Sequence, residues 1–226
     1  MRDIEELYQE FHKELRIACR SFYTWKNIQN IAKEDKNILS ALYENPLSWD
    51  IILHSLQSTF FITISRLFDK DGRAFSVHTL LRTCIENIDQ FSKYALRERR
   101  IKSSNTDKLS WLDKYIEDSY QPNKEDFLKL KGEVSKKQKL YDSGCKPIRD
   151  KIFAHKELEG IKKVDELFRK VMIDKTQDIL CFLYQIEMII FEILYNGRLM
   201  NVGHFPFNEE EFIMKDIMGL LNKIKS

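Results

Sequence analysis

The stretch DIEELYQEFHKELRIACRSFYTWKNIQNIA, residues 3–32, sets Ile4, Leu7, Phe11, Leu15, Ala18, Phe22, Trp25 and Ile28 at steps of three and four. That period matches the turn of an α-helix and not the alternation of a strand, so the segment reads as one long amphipathic helix. The pattern repeats outward from there. A short helix is expected around Ile38 to Tyr43, ended by Asn45-Pro46. Pro46 then opens a second long helix to about Phe68, because its missing N–H and fixed φ suit the first helical position. FFITI inside it has a strand-like composition, but the stripe Ile52, Leu56, Phe60, Ile64, Leu67 favours helix. Asp71-Gly72 makes a turn, and Ser76 is a plausible N-cap for a third helix through Val77, Leu80, Leu81, Cys84, Ile88 and Phe91.

SSNTD (Ser103–Asp107) breaks the pattern, and a helix with Trp111, Leu112, Tyr115 and Ile116 comes next. Pro122-Asn123 leads into a polar helix with Phe127, Leu130 and Val134 on one side. It continues through Tyr141, Cys145, Ile148 and Ile152, with a kink expected at Gly144 and Pro147 and a stop at Gly160. A short helix (Val164 to Val171), an apolar helix from about Lys175 to Tyr195, and a terminal helix from Asn208 or Glu209 to near Ile224 complete the order.

Composition supports the same class. Gly (7) and Pro (4) make up about 5% of 226 residues, against about 12% in an average domain. A sandwich or barrel needs a turn every 8–12 residues and draws on those two residues. An all-α protein follows, an up-and-down helical bundle forming a single domain over residues 1–226. Hydrophobic residues at 43% and charged residues at 32% can bury a core under a solvated surface. The formal charge of +2 provides no global field for polyanions, but Lys129 to Lys163 holds eleven Lys/Arg against five Asp/Glu. Such a stripe is a modest hint of a phosphate-bearing partner and is more often a solvated helix face.

Cys19, Cys84, Cys145 and Cys181 are widely spaced, with no C-x-x-C pair, and sit among apolar residues. They read as small core hydrophobes, and neither a metal nor a disulfide framework is expected. MRDIEELYQEF is acidic and amphipathic, unlike a signal peptide. The run Ile179 to Tyr195 contains Gln185, Glu187 and Glu192, too short and too charged for a bilayer. A cytoplasmic protein without a membrane partner is expected.

Phosphate-cradling glycine loops, G-x-S-x-G, H-E-x-x-H and Glu-x-x-His are all absent from the sequence. His12, His54, His78 and His204 stand alone, and each reads as a surface or core-margin histidine. Arg66 and Asp69 in SRLFDKD are three apart and read as an intrahelical ion pair. One segment stands out: CKPIRDKIFAHKE, residues 145–157. Tyr141, Cys145, Ile148, Ile152 and His155 share one helical stripe, so His155 lies where a leucine would be ordinary. An imidazole on that face needs a hydrogen-bonding partner or a task. Arg149 is about 9 Å along the helix from it, at the edge of the stripe. A structural histidine and a catalytic one are both compatible with that placement.

Arg149, polar Asp150 and then His155 after the spacer DKIFA resemble the R-x(4–6)-H motif of the HEPN superfamily. With SRLFDKD near the end of the second long helix, the chain looks particularly like the U-type abortive-infection branch. The resemblance covers roughly Trp49 to Asn196, which implies a HEPN-like core at about 46–197 with flanking helices at 1–45 and 198–226. It implies a metal-independent, cofactor-free endoribonuclease working as a homodimer through the motif helix, in phage defence or a toxin–antitoxin pair. RNA, not DNA, would be the substrate, because cleavage uses the 2′-hydroxyl. Arg149 and His155 carry over as the catalytic pair and Asp150 as a supporting residue. Histidine titrates near neutrality and moves the proton, and arginine's planar fork stabilises the crowded phosphate.

Lys146, Lys151 and Lys156 are candidates for steering the RNA backbone, on local charge alone. Glu157 stands where relatives controlled by tyrosine modification carry a tyrosine, so that control is not implied, although an antitoxin or regulatory protein is a further expected partner. The competing reading is a non-catalytic helical dimer that binds RNA, a nucleotide or a protein, with the Arg–His pair structural.

Overall fold

The computed structural model describes residues 3–103, 110–150, 173–203 and 207–224. Among these there are ten α-helices and no strand, as the apolar spacing predicts. Helix α1 (Ile4–Glu34) starts where the Asp3 carboxylate accepts the Glu5 N–H at 2.8 Å, with Glu5 and Glu6 placing negative charge at the positive end of the helix. It stops at Asp35, whose extended backbone ends one helix and whose carboxylate caps α2 (Lys36–Glu44) by accepting the N–H groups of Asn37 and Ile38. Helix α3 (Pro46–Leu67) begins with Pro46 in its first turn, as expected.

Ser76 caps α4 (Val77–Glu86) as predicted, accepting the Thr79 N–H. The expected run through Ile88 and Phe91 does not persist as α-helix. The Asn87 side-chain amide bonds the Thr83 carbonyl, and Ile88–Phe91 tightens into a 3₁₀ turn. That tighter turn seats Phe91 against Phe127, ring centroids 4.8 Å apart. A separate α5 (Lys93–Ser103) follows, started by the Ser92 hydroxyl accepting the Ala95 N–H. After α6 (Leu112–Asp118), α7 (Lys124–Ser143) opens on a reciprocal capping box between Asn123 and Asp126. It is followed by α8 (Cys145–Ile148), α9 (Ile173–Asn196) and α10 (Glu210–Ile224).

The main core is built around α9, buried on most of its circumference from Ile179 to Leu194. Phe11, Leu15 and Phe22 of α1, Ile64 and Leu67 of α3, Leu80 and Leu81 of α4, and Phe127 and Val134 of α7 pack into the same cluster. Each such side chain stabilises the fold by about 1.5–3 kcal/mol. Among the described residues the α1–α3 contact is the most extensive helix pairing. A smaller apolar cluster sits apart, where Ile28 and Ile31 of α1, Ile38 of α2, and Ile217 and Leu221 of α10 meet.

Gly197 ends α9 at φ +54, and a Cβ there would lie 2.6 Å from Leu96 Cδ2 and 2.7 Å from Ser119 Cβ. Only glycine accepts both that backbone and that approach. All four cysteines are free thiols, three of them buried, and burial pushes Cys145 up to about 11. No helix among the described residues is long and apolar enough to cross a membrane.

Candidate active site

The segment that carries Arg149 is placed by a deliberate irregularity. Gly144 closes α7, and Pro147 lies inside the four-residue α8 without an N–H to give. The chain then widens into a π-type turn at Arg149 and Asp150, with the Arg149 N–H returning to the carbonyls of Cys145 and Lys146. This is the kink expected at Gly144 and Pro147. Cys145 and Ile148 are buried beneath it, as the stripe predicts, and the Cys145 thiol lies 3.9 Å from the Thr176 hydroxyl of α9.

Arg149 and Asp150 are both partly exposed, and Arg149 Nε lies 2.9 Å from Asp150 Oδ1. The candidate supporting residue therefore orients the candidate catalytic one. Lys146 is exposed on the same short element. His155, Lys151 and Lys156 lie outside the described residues, as do Ile152 and Glu157.

Tyr141 connects this segment to the end of α3. Its ring stacks on Phe68, with centroids 5.0 Å apart and planes 10° from parallel. Burial raises its phenol pKa, an effect partly offset by Ser65 and by the positive charge of Arg149. The Tyr141 hydroxyl lies against Ser65 and Arg149, and Arg149 Nε is a buried atom turned to Asp150. One residue further along α7, Asp142 accepts from Lys70 at 3.1 Å and from Gln138 at 2.9 Å, and Gln138 in turn bonds His78 Nε2 at 2.7 Å. Burial acts to raise the Asp142 pKa, but those two hydrogen bonds and the nearby charges of Lys70 and Lys146 hold it below the usual carboxylate range. The two segments singled out in the sequence, SRLFDKD and the Arg149 region, thus meet across Tyr141 and Asp142.

The Arg66–Asp69 ion pair expected from spacing is replaced by two other contacts. Arg66 reaches Glu14 of α1 at 3.2 Å, and Asp69 accepts the Asp71 N–H at 2.8 Å to shape the turn after α3. At the helix end, the neighbouring α1 offers a better placed carboxylate than the helix itself does.

His12 also has a partner that sequence reasoning missed. The buried Glu187 carboxylate of α9 accepts the Tyr8 hydroxyl, and its Oε1 lies 3.0 Å from His12 Nδ1. Arg16 lies 3.7 Å from the other oxygen and 3.3 Å from Glu209. Tyr8, His12 and Arg16 are four apart on one face of α1, so the signal was a polar stripe matching a glutamate inside an apolar helix. Tyr141 carried a similar signal, since a tyrosine on a core stripe needs an answer for its hydroxyl. Among the described residues no group of three His, Cys, Asp or Glu is placed to hold a metal ion.

The bundle and its motif segment define a HEPN-like protein. A family model described as AbiU2, of HEPN type, matches residues 1–208, so the chain belongs to this family of abortive-infection proteins. The match runs from α1 through α9. Comparisons with curated proteins and with solved structures find no match.

Proposed function

We propose that this HEPN-type abortive-infection protein is a metal-independent endoribonuclease acting in phage defence or in a toxin–antitoxin pair. The observation that carries the reading is the meeting of Arg149 with Tyr141. A guanidinium braced by Asp150 sits beside the buried Tyr141 hydroxyl at the junction of α3 and α8. A guanidinium has five N–H donors, so with Nε on Asp150 it keeps others to offer beside that hydroxyl. A phosphate oxygen would satisfy them.

In this reading a base removes the proton of an RNA 2′-hydroxyl, and that oxygen attacks the adjacent phosphorus. The P–O5′ bond breaks and the leaving oxygen takes a proton, giving a 2′,3′-cyclic phosphate and a 5′-hydroxyl. His155 is the group proposed to move protons, and Arg149 stabilises charge on the phosphorane. Lys146, Lys151 and Lys156 steer the backbone. A homodimer through the motif helix would supply two copies of the pair to one cleft, and an antitoxin or regulatory protein would restrain it.

The test is purified protein incubated with end-labelled RNA in EDTA, beside Arg149→Ala and His155→Ala proteins matched for folding by circular dichroism. Cleavage by the wild type alone, with cyclic-phosphate ends, is expected. Cleavage of an all-deoxy oligonucleotide rejects the mechanism, because that substrate has no internal nucleophile. A second reading, a non-catalytic helical dimer that binds RNA, a nucleotide or a protein, draws support from the Arg149–Asp150 ion pair, which already gives the arginine a structural partner. It predicts that His155→Ala lowers stability and removes no activity.

A further inference from the structure

The other end of α3 bears a different feature. From Pro46 to Ser65 the chain has one formally charged residue, Asp50, and before Phe60 none of the α3 side chains is buried. Leu47 is 84% exposed and Ile51 61%, and from α2 the neighbouring Tyr43 is 71% exposed. Leu39 extends the same apolar surface at 36%. Monomers rarely leave more than a few hundred Å² of contiguous apolar surface bare, and four large side chains exposed to this degree reach that size. Beside them is a hollow of about 200 Å³ between α1, α2 and α3, walled by Ile28, Leu42, Trp49 and Leu53 with Gln29 at its edge. A second, shallower hollow bounded by Leu47, Ile51 and His54 shares Asp50 and Leu53 with it as a common wall.

We propose that this face binds a second copy of the chain about a two-fold axis, Leu47 of each copy entering the hollow of the other. A two-fold contact requires one patch to be complementary to itself. Here the same patch carries both a projecting leucine and a hollow of a size for such a side chain. The polar groups are placed to suit: His54 stands one turn from Asp50 on α3, so a two-fold axis can set each carboxylate against the imidazole of the other copy. A lipid surface or a nucleic acid would call for an excess of lysine or arginine on this face; Pro46 to Ser65 has neither, and the exposed Lys36 of α2 is offset by Glu44 of the same helix. Standard interfaces bury roughly 800 Å² per partner, so the contact has to take in the polar rim around these side chains as well. This contact is separate from pairing through the motif helix, because Leu47 and Leu67 lie about 30 Å apart along α3.

The test is the mass of the full chain in solution by sedimentation velocity, wild type against Leu47→Asp. The wild type is expected to run at twice the mass of the variant, whether that is dimer against monomer or tetramer against dimer. Leu47 is so exposed that the variant should keep the wild-type circular dichroism spectrum. Leu47→Cys protein mixed with Gln29→Cys protein is expected to form a disulfide-linked pair on mild oxidation, while wild type with its own cysteines forms none. Equal mass for wild type and Leu47→Asp overturns the proposal, as does a failure of the mixed proteins to cross-link. A Leu47-dependent complex with a different protein, formed by a chain that is alone in solution, overturns it too. RNA cleavage is scored separately, so a cleaving protein of unchanged mass rejects this contact and leaves the ribonuclease reading standing.

Discussion

The two halves of α3 are similar in composition and opposite in environment. From Phe60 to Leu67 the helix is packed between α1 and the rest of the core, with Phe60, Phe61, Thr63, Ile64 and Leu67 all buried. From Pro46 to Thr59 it leans only on the smaller apolar cluster through Trp49, Leu53 and Leu56, and Leu47 and Ile51 point to solvent. Leucine and isoleucine are buried at one end and bare at the other. Hydropathy alone therefore does not tell a core from an interface; the number of neighbouring elements does. The buried end leads into the Arg149 region, and the bare end leads to the surface proposed to bind a second copy.

This contrast can be broken or sharpened by experiment. The largest effect is expected at Glu187, which locks α1 to α9 behind the buried half of α3. Glu187→Ala strands His12, Tyr8 and part of the charge of Arg16, and breaking a buried pair this way costs about 3–5 kcal/mol. In urea denaturation its midpoint should fall accordingly, and hydrogen exchange should quicken in 60–67 before 46–59. Next, Leu67→Ala should cost about 2–5 kcal/mol by leaving a cavity. Leu47→Ala, measured where the chain is dissociated, should stay within about 0.5 kcal/mol of wild type. Equal costs at the two positions would dissolve the comparison.

A smaller effect is expected where the buried half meets the candidate site. Tyr141→Phe removes a buried hydroxyl that lies against Ser65 and Arg149 and should cost the protein about 1 kcal/mol. If the hydroxyl serves RNA, cleavage falls in the same variant, and thermal melts with cleavage assays separate the two. The smallest effect is on acid stability. Asp142 titrates below its unfolded value, so the stability it contributes is present above about pH 4 and lost as pH falls through its folded pKa. Asp142→Asn should flatten that part of the melting temperature curve between about pH 5 and pH 2, by tenths of a kcal/mol for so solvent-screened a group.

Much of the fold was legible because helices announce themselves locally. The stripe from Ile4 to Ile28, Pro46 at the start of α3, the Ser76 cap and the kink at Gly144 and Pro147 each depend on residues within a turn or two of one another. The break at Asn87 was less legible, since a side chain there competes with the backbone ladder and the reward is the distant contact of Phe91 with Phe127. At the candidate site, Arg149 and Asp150 could be singled out by spacing. The roles of Tyr141, Ser65 and Asp142 could not, because their partners come from α3 and the turn after it, some 70 residues earlier in the chain.

The sequence by itself thus determined an all-helical chain, its main helix starts, and the segment worth watching, since each rests on short-range periodicity and capping chemistry. Only the tertiary structure decided which apolar stripes are interior and which are bare. It also decided that Arg66 answers Glu14 and not Asp69, and that a glutamate in the most apolar helix is met by three polar side chains of α1. Those outcomes depend on which surfaces come together in space, and burial and pairing energies are properties of that meeting.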